Sequence, residues 1–162
     1  WWCPQLPPSP REAWQLMLEG ITGWPAETSA VLGSSLGGFY ATAVAEHTGW
    51  PALVMNPAID PARDLRKHIG EQTQFHDPSQ RFFFRPEFIG ELEALAVAHI
   101  TRPVRYTAII AKGDELLDWR EMVGRYPGAT IRLLERSDHA LSDFDEHLPF
   151  LLKALGLDED GA

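Results

Sequence analysis

The sequence has 162 residues, the size of one compact domain. Its 14 Lys and Arg against 23 Asp and Glu give a net charge of −9, which argues against nucleic acid or an anionic membrane surface as a partner. The single cysteine, Cys3, excludes an intrachain disulfide, and no apolar run approaches the roughly 20 residues of a membrane helix. These features predict a cytoplasmic globular protein.

The chain alternates short apolar runs with segments that repeat apolar residues at helical spacing, and 13 glycines and 13 prolines punctuate it. Ser9 is a candidate N-cap, with Pro10 in the first helical position and Glu12 as a capping-box partner. Residues 70–86 show no regular pattern and are interpreted as irregular. In chain order, the predicted elements are a helix from residue 10, a strand at 29–33, a helix at 36–47, a strand at 52–55, helices at 60–69 and 86–98, a strand at 104–111, a helix at 119–126, a strand at 130–134 and a helix at 148–155.

This alternation predicts an α/β fold, in which helices cover both faces of a mostly parallel sheet. We expect the run at 29–33 to be a strand buried on both faces, as in parallel sheets. Ligands of such sheets bind outside the carboxyl ends of the strands. Functional residues are therefore expected directly after each predicted strand.

The segment after the first predicted strand matches G-x-S-x-G, with Ser35 at its centre between Gly33 and Gly37. Its strand–turn–helix setting is typical of a nucleophile elbow, a sharp turn that raises a serine oxygen above the sheet. The glycines are expected to leave room, because a Cβ there would collide with the neighbouring strand or helix. The following helix N-terminus adds positive potential where an oxyanion would form. The alternative is a tight glycine turn with Ser35 as an ordinary helix N-cap.

A serine nucleophile needs a histidine base that a carboxylate holds in place. Asp114 follows the third predicted strand and His139 follows the fourth, which gives the chain order serine, acid, histidine of this fold class. Asp118 and Glu115 are alternative acids, which would otherwise belong to a solvated helix start. The alternative for His139 is a loop histidine bonded to a backbone carbonyl.

A metal site is not expected, although His139, Asp143 and His147 are spaced four residues apart. On a continuous helix these side chains would share a face. Pro149 predicts, however, that the last helix begins after His147, which breaks that geometry. No glycine-rich phosphate loop is present, so nucleotide binding is not expected.

Together, these residues resemble the YqiA-like small bacterial esterases of the α/β-hydrolase fold. The resemblance covers most of the chain, and its motifs are jointly far more specific than the elbow alone. The matching segments are residues 4–10, the elbow and helix start at 33–42, the strand end at 54–58, the acid segment at 113–118, and the base segment at 138–140 with Phe144 beyond it.

The resemblance implies hydrolysis of small-molecule carboxylic esters, with acyl thioesters as a second class, by a triad of Ser35, Asp114 and His139 without a cofactor. It also implies that the Leu36 N–H is one of two oxyanion donors. The family's other donor comes from a His-Gly-Phe-type turn after a first strand, and this sequence starts after that point. We therefore expect a single hydrolase domain over residues 1–162 that is incomplete at its N-terminus.

The segment 70–90 is a candidate lid or acyl-pocket wall because it carries Phe82, Phe83 and Phe84. The alternative is a surface loop whose aromatic rings pack into the core. Two other functions stay open. One is a non-catalytic protein of this fold that binds a ligand or partner, and the other is an acyltransferase that passes the acyl group to an alcohol or amine. The sequence predicts no oligomeric state.

Overall fold

The computed structural model describes residues 1–73 and 79–157 of the chain. Contacts among these residues define two compact units. The first contains Trp1–Trp24 and Asp60–Ala96, and the second contains Pro25–Ile59 and the residues from Val97 onward. The single hydrolase domain expected over residues 1–162 stays a prediction.

Helices and strands follow one another through the described residues in the predicted order, except within residues 70–86. Short 3₁₀ helices lie at Ala26–Thr28, Arg66–His68 and Pro103–Arg105. In chain order, the other elements are α1 (Pro10–Gly20), β1 (Val31–Ser34), α2 (Leu36–Thr48), β2 (Ala52–Met55), α3 (Pro61–Leu65), β3 (Gly70–Thr73), β4 (Arg81–Phe84), α4 (Glu87–Leu95), β5 (Tyr106–Ala111), α5 (Trp119–Arg125), β6 (Thr130–Leu134) and α6 (Phe144–Ala154).

The second unit is built on a parallel four-stranded sheet in the order β1-β2-β5-β6. In this register, Gly33 lies opposite Val54, Val54 opposite Ala108, and Ala108 opposite Ile131. The central strands β2 and β5 are almost wholly buried, as expected for parallel strands that are covered on both faces. The predicted α/β fold class is confirmed.

Successive residues of β2 and β5 point into two different cores, as the alternation of a strand requires. The first core joins one face of the strands to α2 and α5 and contains Ala41, Ala45, Ala52, Val54, Tyr106, Ala108, Ile110, Met122 and Tyr126. The second core joins the other face to α6 and contains Leu53, Met55, Ile109, Ala111, Leu141 and Leu151. The two cores fix the ends of β2 and β5, from which the candidate site is built.

Strand β1 is less buried than predicted. Leu32 keeps 41% of its surface exposed, and Ser34 is also exposed. Among the described strands, β1 pairs with β2 alone and forms an edge of the sheet. The expectation of a strand buried on both faces was wrong here, because an apolar run does not reveal whether its strand lies at the centre of a sheet or at its edge.

The first unit contains a β-hairpin that the sequence pattern missed. Strands β3 and β4 pair antiparallel, with Glu71 opposite Phe83, and Glu71 forms a 2.8 Å ion pair with Arg81. The sequence predicted an irregular segment because neither strand alternates apolar and polar residues in a pattern that marks a half-buried strand. Residues 74–78 lie outside the described part of the chain.

The first residue of α1 and its Ser9 cap follow the sequence prediction. Ser9 Oγ accepts the Glu12 N–H at 3.2 Å, and Pro10 occupies the first turn. The same hydroxyl donates to the Glu91 carboxylate of α4 at 2.7 Å, a contact within the first unit. This cap therefore also joins the start of α1 to the middle of α4, two parts of the chain that are distant in sequence.

The last helix begins earlier than predicted. It starts at Phe144, so that Pro149 lies in its interior rather than in its first turn. Proline removes only its own N–H, and the carbonyl left unpaired four residues earlier belongs to the exposed Asp145. One proline near the start of a helix was therefore too weak a signal to place the boundary.

Candidate active site

Ser35 lies on the sharp turn between β1 and α2, with φ 53° and ψ −123°. Residues other than glycine rarely adopt such a conformation, which costs about 1–3 kcal/mol and persists only where surrounding contacts enforce it. The Ser35 N–H donates to the Met55 carbonyl, and the Ser35 carbonyl accepts from the N–H groups of Gly38 and Ala58, each at 2.9 Å. The Ser35 side chain forms no capping bond with α2, which disfavours the ordinary N-cap interpretation.

The close approach of helix and strand at this turn depends on Gly33 and Gly38. A Cβ on Gly33 would lie 2.1 Å from the Gly37 carbonyl oxygen, and a Cβ on Gly38 would lie 2.7 Å from the Pro57 Cβ. A Cβ on Gly37 would meet nothing within 4 Å. The expectation that Gly37 avoids a collision was therefore wrong, because the sequence pattern does not show which side of the helix faces the next strand end.

Alanine substitutions at Gly37 and Gly38 should have different effects, because only a Cβ on Gly38 would be crowded. We expect Gly38→Ala to lower the free energy of unfolding by about 1–3 kcal/mol, because Pro57 is rigid and buried and cannot yield. Gly37→Ala should leave it unchanged or raise it by up to about 1 kcal/mol, because alanine favours a helix. Urea unfolding of both variants measures the difference, and equal losses would contradict the packing described here.

The three sequence-predicted residues of the triad are in hydrogen-bond contact. His139 Nε2 lies 2.9 Å from Ser35 Oγ, and His139 Nδ1 lies 2.8 Å from Asp114 Oδ2. The Asp114 side chain is fully buried, and 16% of the His139 side chain is exposed. With its proton on Nδ1 facing the carboxylate, the imidazole presents the Nε2 lone pair to the Ser35 hydroxyl.

Asp114 is oriented by the backbone that follows it. Its Oδ1 accepts the N–H groups of Leu116 and Leu117, each at 2.8 Å, which leaves Oδ2 for the histidine. Glu115 instead accepts the backbone N–H of His139 at 3.1 Å, and Asp118 caps α5 by accepting from Arg120 at 2.9 Å. Neither of the two alternative acids contacts the imidazole.

His139 lies in the segment 135–143 between β6 and α6, called the histidine loop below, and hydrogen bonds to two acidic side chains hold this loop. Hydrogen bonds from the Ser142 hydroxyl and N–H hold the pKa of Asp138 below its ordinary value. A bond from the Ser137 hydroxyl likewise lowers the pKa of Asp143. Both carboxylates therefore stay ionised, and remain hydrogen-bond acceptors, to a lower pH than ordinary aspartates.

The spacing of His139, Asp143 and His147 does not produce a shared face. His139 turns towards Ser35, whereas buried His147 places its Nε2 3.1 Å from Asp143 Oδ2 without the alignment of a hydrogen bond. Within residues 1–73 and 79–157, no three His, Cys, Asp or Glu side chains are placed to hold a metal ion.

Leu36 is the first residue of α2, so its N–H has no partner inside the helix. It directly follows Ser35, at the positive end of the helix dipole. An anion formed beside Ser35 Oγ would therefore meet a backbone donor and a favourable potential. The family resemblance implied an oxyanion donor at this position.

The three phenylalanines of the candidate lid belong to the first unit and differ in environment. Phe84 is buried and packs edge-on against Phe88, with ring centroids 5.5 Å apart. Phe83 is 58% exposed and, with Phe82, lines a cavity of about 300 Å³ within that unit. Phe84 is a core residue, and a substrate-binding role for Phe82 and Phe83 stays a prediction.

Asn56 was not predicted as a site residue, although its fully buried side chain contacts the loop that carries His139. Asn56-Pro57 signalled only the end of a strand. The available clue was an asparagine directly after a predicted buried strand, at the sheet edge where Ser35, Asp114 and His139 were expected.

A parallel sheet with a serine on a strained strand-to-helix turn, and with an acid and a histidine after later strands, defines the α/β-hydrolase fold. The profile of the uncharacterised protein family UPF0227 matches residues 2–155. The chain therefore belongs to this family, and the resemblance predicted from its motifs is confirmed. None of the described helices is long and apolar enough to cross a membrane.

Solved structures show the same fold at low sequence identity. A candidate hydrolase from Agrobacterium vitis S4 matches with a TM-score of 0.73 and 16% identity over 91% of this chain and 69% of its own. An α/β superfamily hydrolase from Oenococcus oeni matches with a TM-score of 0.60 and 16% identity, covering 94% and 76%. The esterase domain of a Rhodothermus marinus protein matches with a TM-score of 0.56 and 22% identity, covering 84% and 61%.

Proposed function

We propose that this protein is a serine hydrolase that cleaves carboxylic esters through an acyl-enzyme. The observation that carries the proposal is the pair of hydrogen bonds that join His139 to Ser35 at 2.9 Å and to Asp114 at 2.8 Å. The strained backbone of Ser35 adds support, because such conformations concentrate at functional sites. The fold alone would not decide function, since it hosts many activities.

In the first step, Ser35 Oγ attacks the ester carbonyl carbon while His139 Nε2 accepts the hydroxyl proton. The resulting tetrahedral oxyanion accepts a hydrogen bond from the Leu36 N–H, and Asp114 stabilises the imidazolium. The C–O bond to the leaving group then breaks, and His139 returns its proton to the departing alkoxide. A free alcohol and an ester of Ser35 are the products of this step.

In the second step, water attacks the acyl-enzyme carbonyl as His139 accepts one of its protons. Collapse of the second tetrahedral intermediate breaks the bond to Ser35 Oγ, which takes the proton back from His139. A carboxylic acid leaves, and the triad returns to its starting state. The same steps would cleave an acyl thioester with a thiol as the leaving group, which makes thioesters the second candidate class.

The proposal is tested by labelling the folded protein with a serine-reactive fluorophosphonate and mapping the adduct by peptide mass spectrometry. We expect a single adduct on Ser35 and turnover of p-nitrophenyl acetate or butyrate. Both assays use this chain and a form extended at its N-terminus, so that the result does not depend on whether residues before Trp1 supply a second oxyanion donor.

Folded proteins that neither label nor turn over short or long acyl esters would contradict the proposal and favour a binding protein of this fold. Adding a competing alcohol or amine distinguishes a further outcome. If the acyl group passes to the added nucleophile in preference to water, the reaction is acyl transfer rather than hydrolysis.

A further inference from the structure

Asn56 is the first residue after β2 and is fully buried. Its φ of 39° lies in the left-handed region, which asparagine tolerates better than most residues. It is also the single asparagine of the sequence. A buried polar side chain in an unusual backbone conformation needs an explanation that packing alone does not supply.

The Asn56 side chain uses both of its donors and its acceptor. Its Nδ2 donates to the carbonyls of Asp138 at 2.9 Å and His139 at 3.0 Å, and its Oδ1 accepts the Ala111 N–H at 2.8 Å. The reverse orientation of the amide would place Nδ2 against the Ala111 N–H and Oδ1 against two carbonyls. The contacts therefore fix the orientation of the amide.

These contacts join the histidine loop to the strand that leads to the acid. Ala111 is the last residue of β5, three residues before Asp114. The residues on either side of Asn56 also bind the backbone of Ser35. The Met55 carbonyl accepts the Ser35 N–H, and the Ala58 N–H donates to the Ser35 carbonyl. Residues 55–58 are thus hydrogen-bonded to the backbone of Ser35 and His139 and to Ala111, which lies three residues before Asp114.

We propose that Asn56 is a positioning residue that fixes the backbone of His139, so that the imidazole stays within reach of Ser35 and Asp114. The inference rests on the proposed function, in which His139 is the base that accepts the Ser35 proton. His139 lies outside any helix or strand, so its placement depends on such side-chain contacts. Misplacing a catalytic group by about 1 Å can cost about 10²-fold in rate.

Two substitutions separate the side-chain bonds from the backbone conformation. Asn56→Asp keeps the shape and one acceptor but directs carboxylate oxygen at two carbonyls. Asn56→Gly keeps the left-handed backbone and removes the side chain. In each variant we expect kcat to fall by about 10²-fold and KM to change by less than about threefold, because substrate contacts are untouched.

Tyr126→Phe is the matched control. It removes a buried 2.8 Å hydrogen bond to Thr42 in the same unit, at a side chain that does not contact the triad. It should lower the unfolding midpoint without changing kcat. An equal loss of kcat in this control would show that reduced stability, not positioning, slows the Asn56 variants.

Nitrogen-15 NMR gives a readout that does not need activity. A protein labelled only in asparagine has a single side-chain amide pair, and we expect its protons to exchange slowly with solvent because both are buried and bonded. With labelled histidine, the His139 ring of wild type should carry its proton on Nδ1. In the Asn56 variants this signal should shift or broaden while other histidine signals stay.

The outcomes are distinct for the two proposals. A wild type that resists the fluorophosphonate contradicts the proposed function, and the histidine signals then still decide the role of Asn56. Folded Asn56 variants with wild-type kcat or unchanged His139 signals would overturn the inference. If both variants unfold, rapid solvent exchange of the wild-type Asn56 amide would overturn it, and slow exchange would support it.

Discussion

Replacing Ser35 with alanine should lower kcat for ester hydrolysis by about 10⁴–10⁶-fold and abolish fluorophosphonate labelling. The methyl side chain has no oxygen to attack the carbonyl, so only the oxyanion donor and substrate binding remain. The bonds that hold the turn use the Ser35 backbone and survive the change. Steady-state kinetics on p-nitrophenyl butyrate, with circular dichroism to verify folding, measures the effect.

Ser34→Ala is the matched control for this experiment, because Ser34 is the adjacent serine at the end of β1. Ser34 is a poor candidate for the elbow, since Leu32 stands where its pattern would need a glycine. The variant should retain its rate within a few-fold and still label at Ser35. Loss of labelling in Ser34→Ala with retention in Ser35→Ala would reassign the nucleophile.

Asp114→Asn should lower kcat by about 10⁴-fold with little change in KM. The two N–H groups of Leu116 and Leu117 would keep the amide oxygen in the place of Oδ1, which turns the amide nitrogen towards His139 Nδ1. An N–H donor at that position favours the imidazole tautomer with its proton on Nε2. That tautomer cannot accept the proton of Ser35, and the base is lost.

Asp118→Ala tests the alternative acid and serves as the control. It removes the cap of α5 and should cost about 1 kcal/mol in the free energy of unfolding, with kcat unchanged. Kinetics and urea unfolding of both variants give the comparison. A large loss of kcat in Asp118→Ala, with activity retained in Asp114→Asn, would move the acid role to Asp118.

The sequence was most informative where local patterns and fold rules agree. The apolar run at β2 and the helical spacing in α1 predicted those elements, because burial of an apolar face decides them. Ser35, Asp114 and His139 could be grouped because each follows a predicted strand, and the carboxyl ends of parallel strands share one edge of the sheet.

What the sequence missed depends on contacts between distant residues. Gly38 rather than Gly37 meets Pro57, a fact about how α2 approaches the end of β2. Asn56 lies 82 and 83 residues from the carbonyls that it binds, and no local pattern records such a contact. The exposure of β1 and the β3–β4 hairpin likewise follow from which strands pair, not from the composition of either strand.

The residue that follows Asn56 bears on the chemical ageing of the protein. Asparagine deamidates when the backbone nitrogen of the next residue attacks the side-chain amide and closes a succinimide ring. Pro57 has no N–H, and both residues are fully buried, so this route is blocked. Ring closure would release ammonia, and hydrolysis of the ring would leave aspartate or isoaspartate, each with a carboxylate in place of the amide. The fold thus places its single asparagine where it is protected from the spontaneous damage that would reverse its hydrogen bonds to the histidine loop.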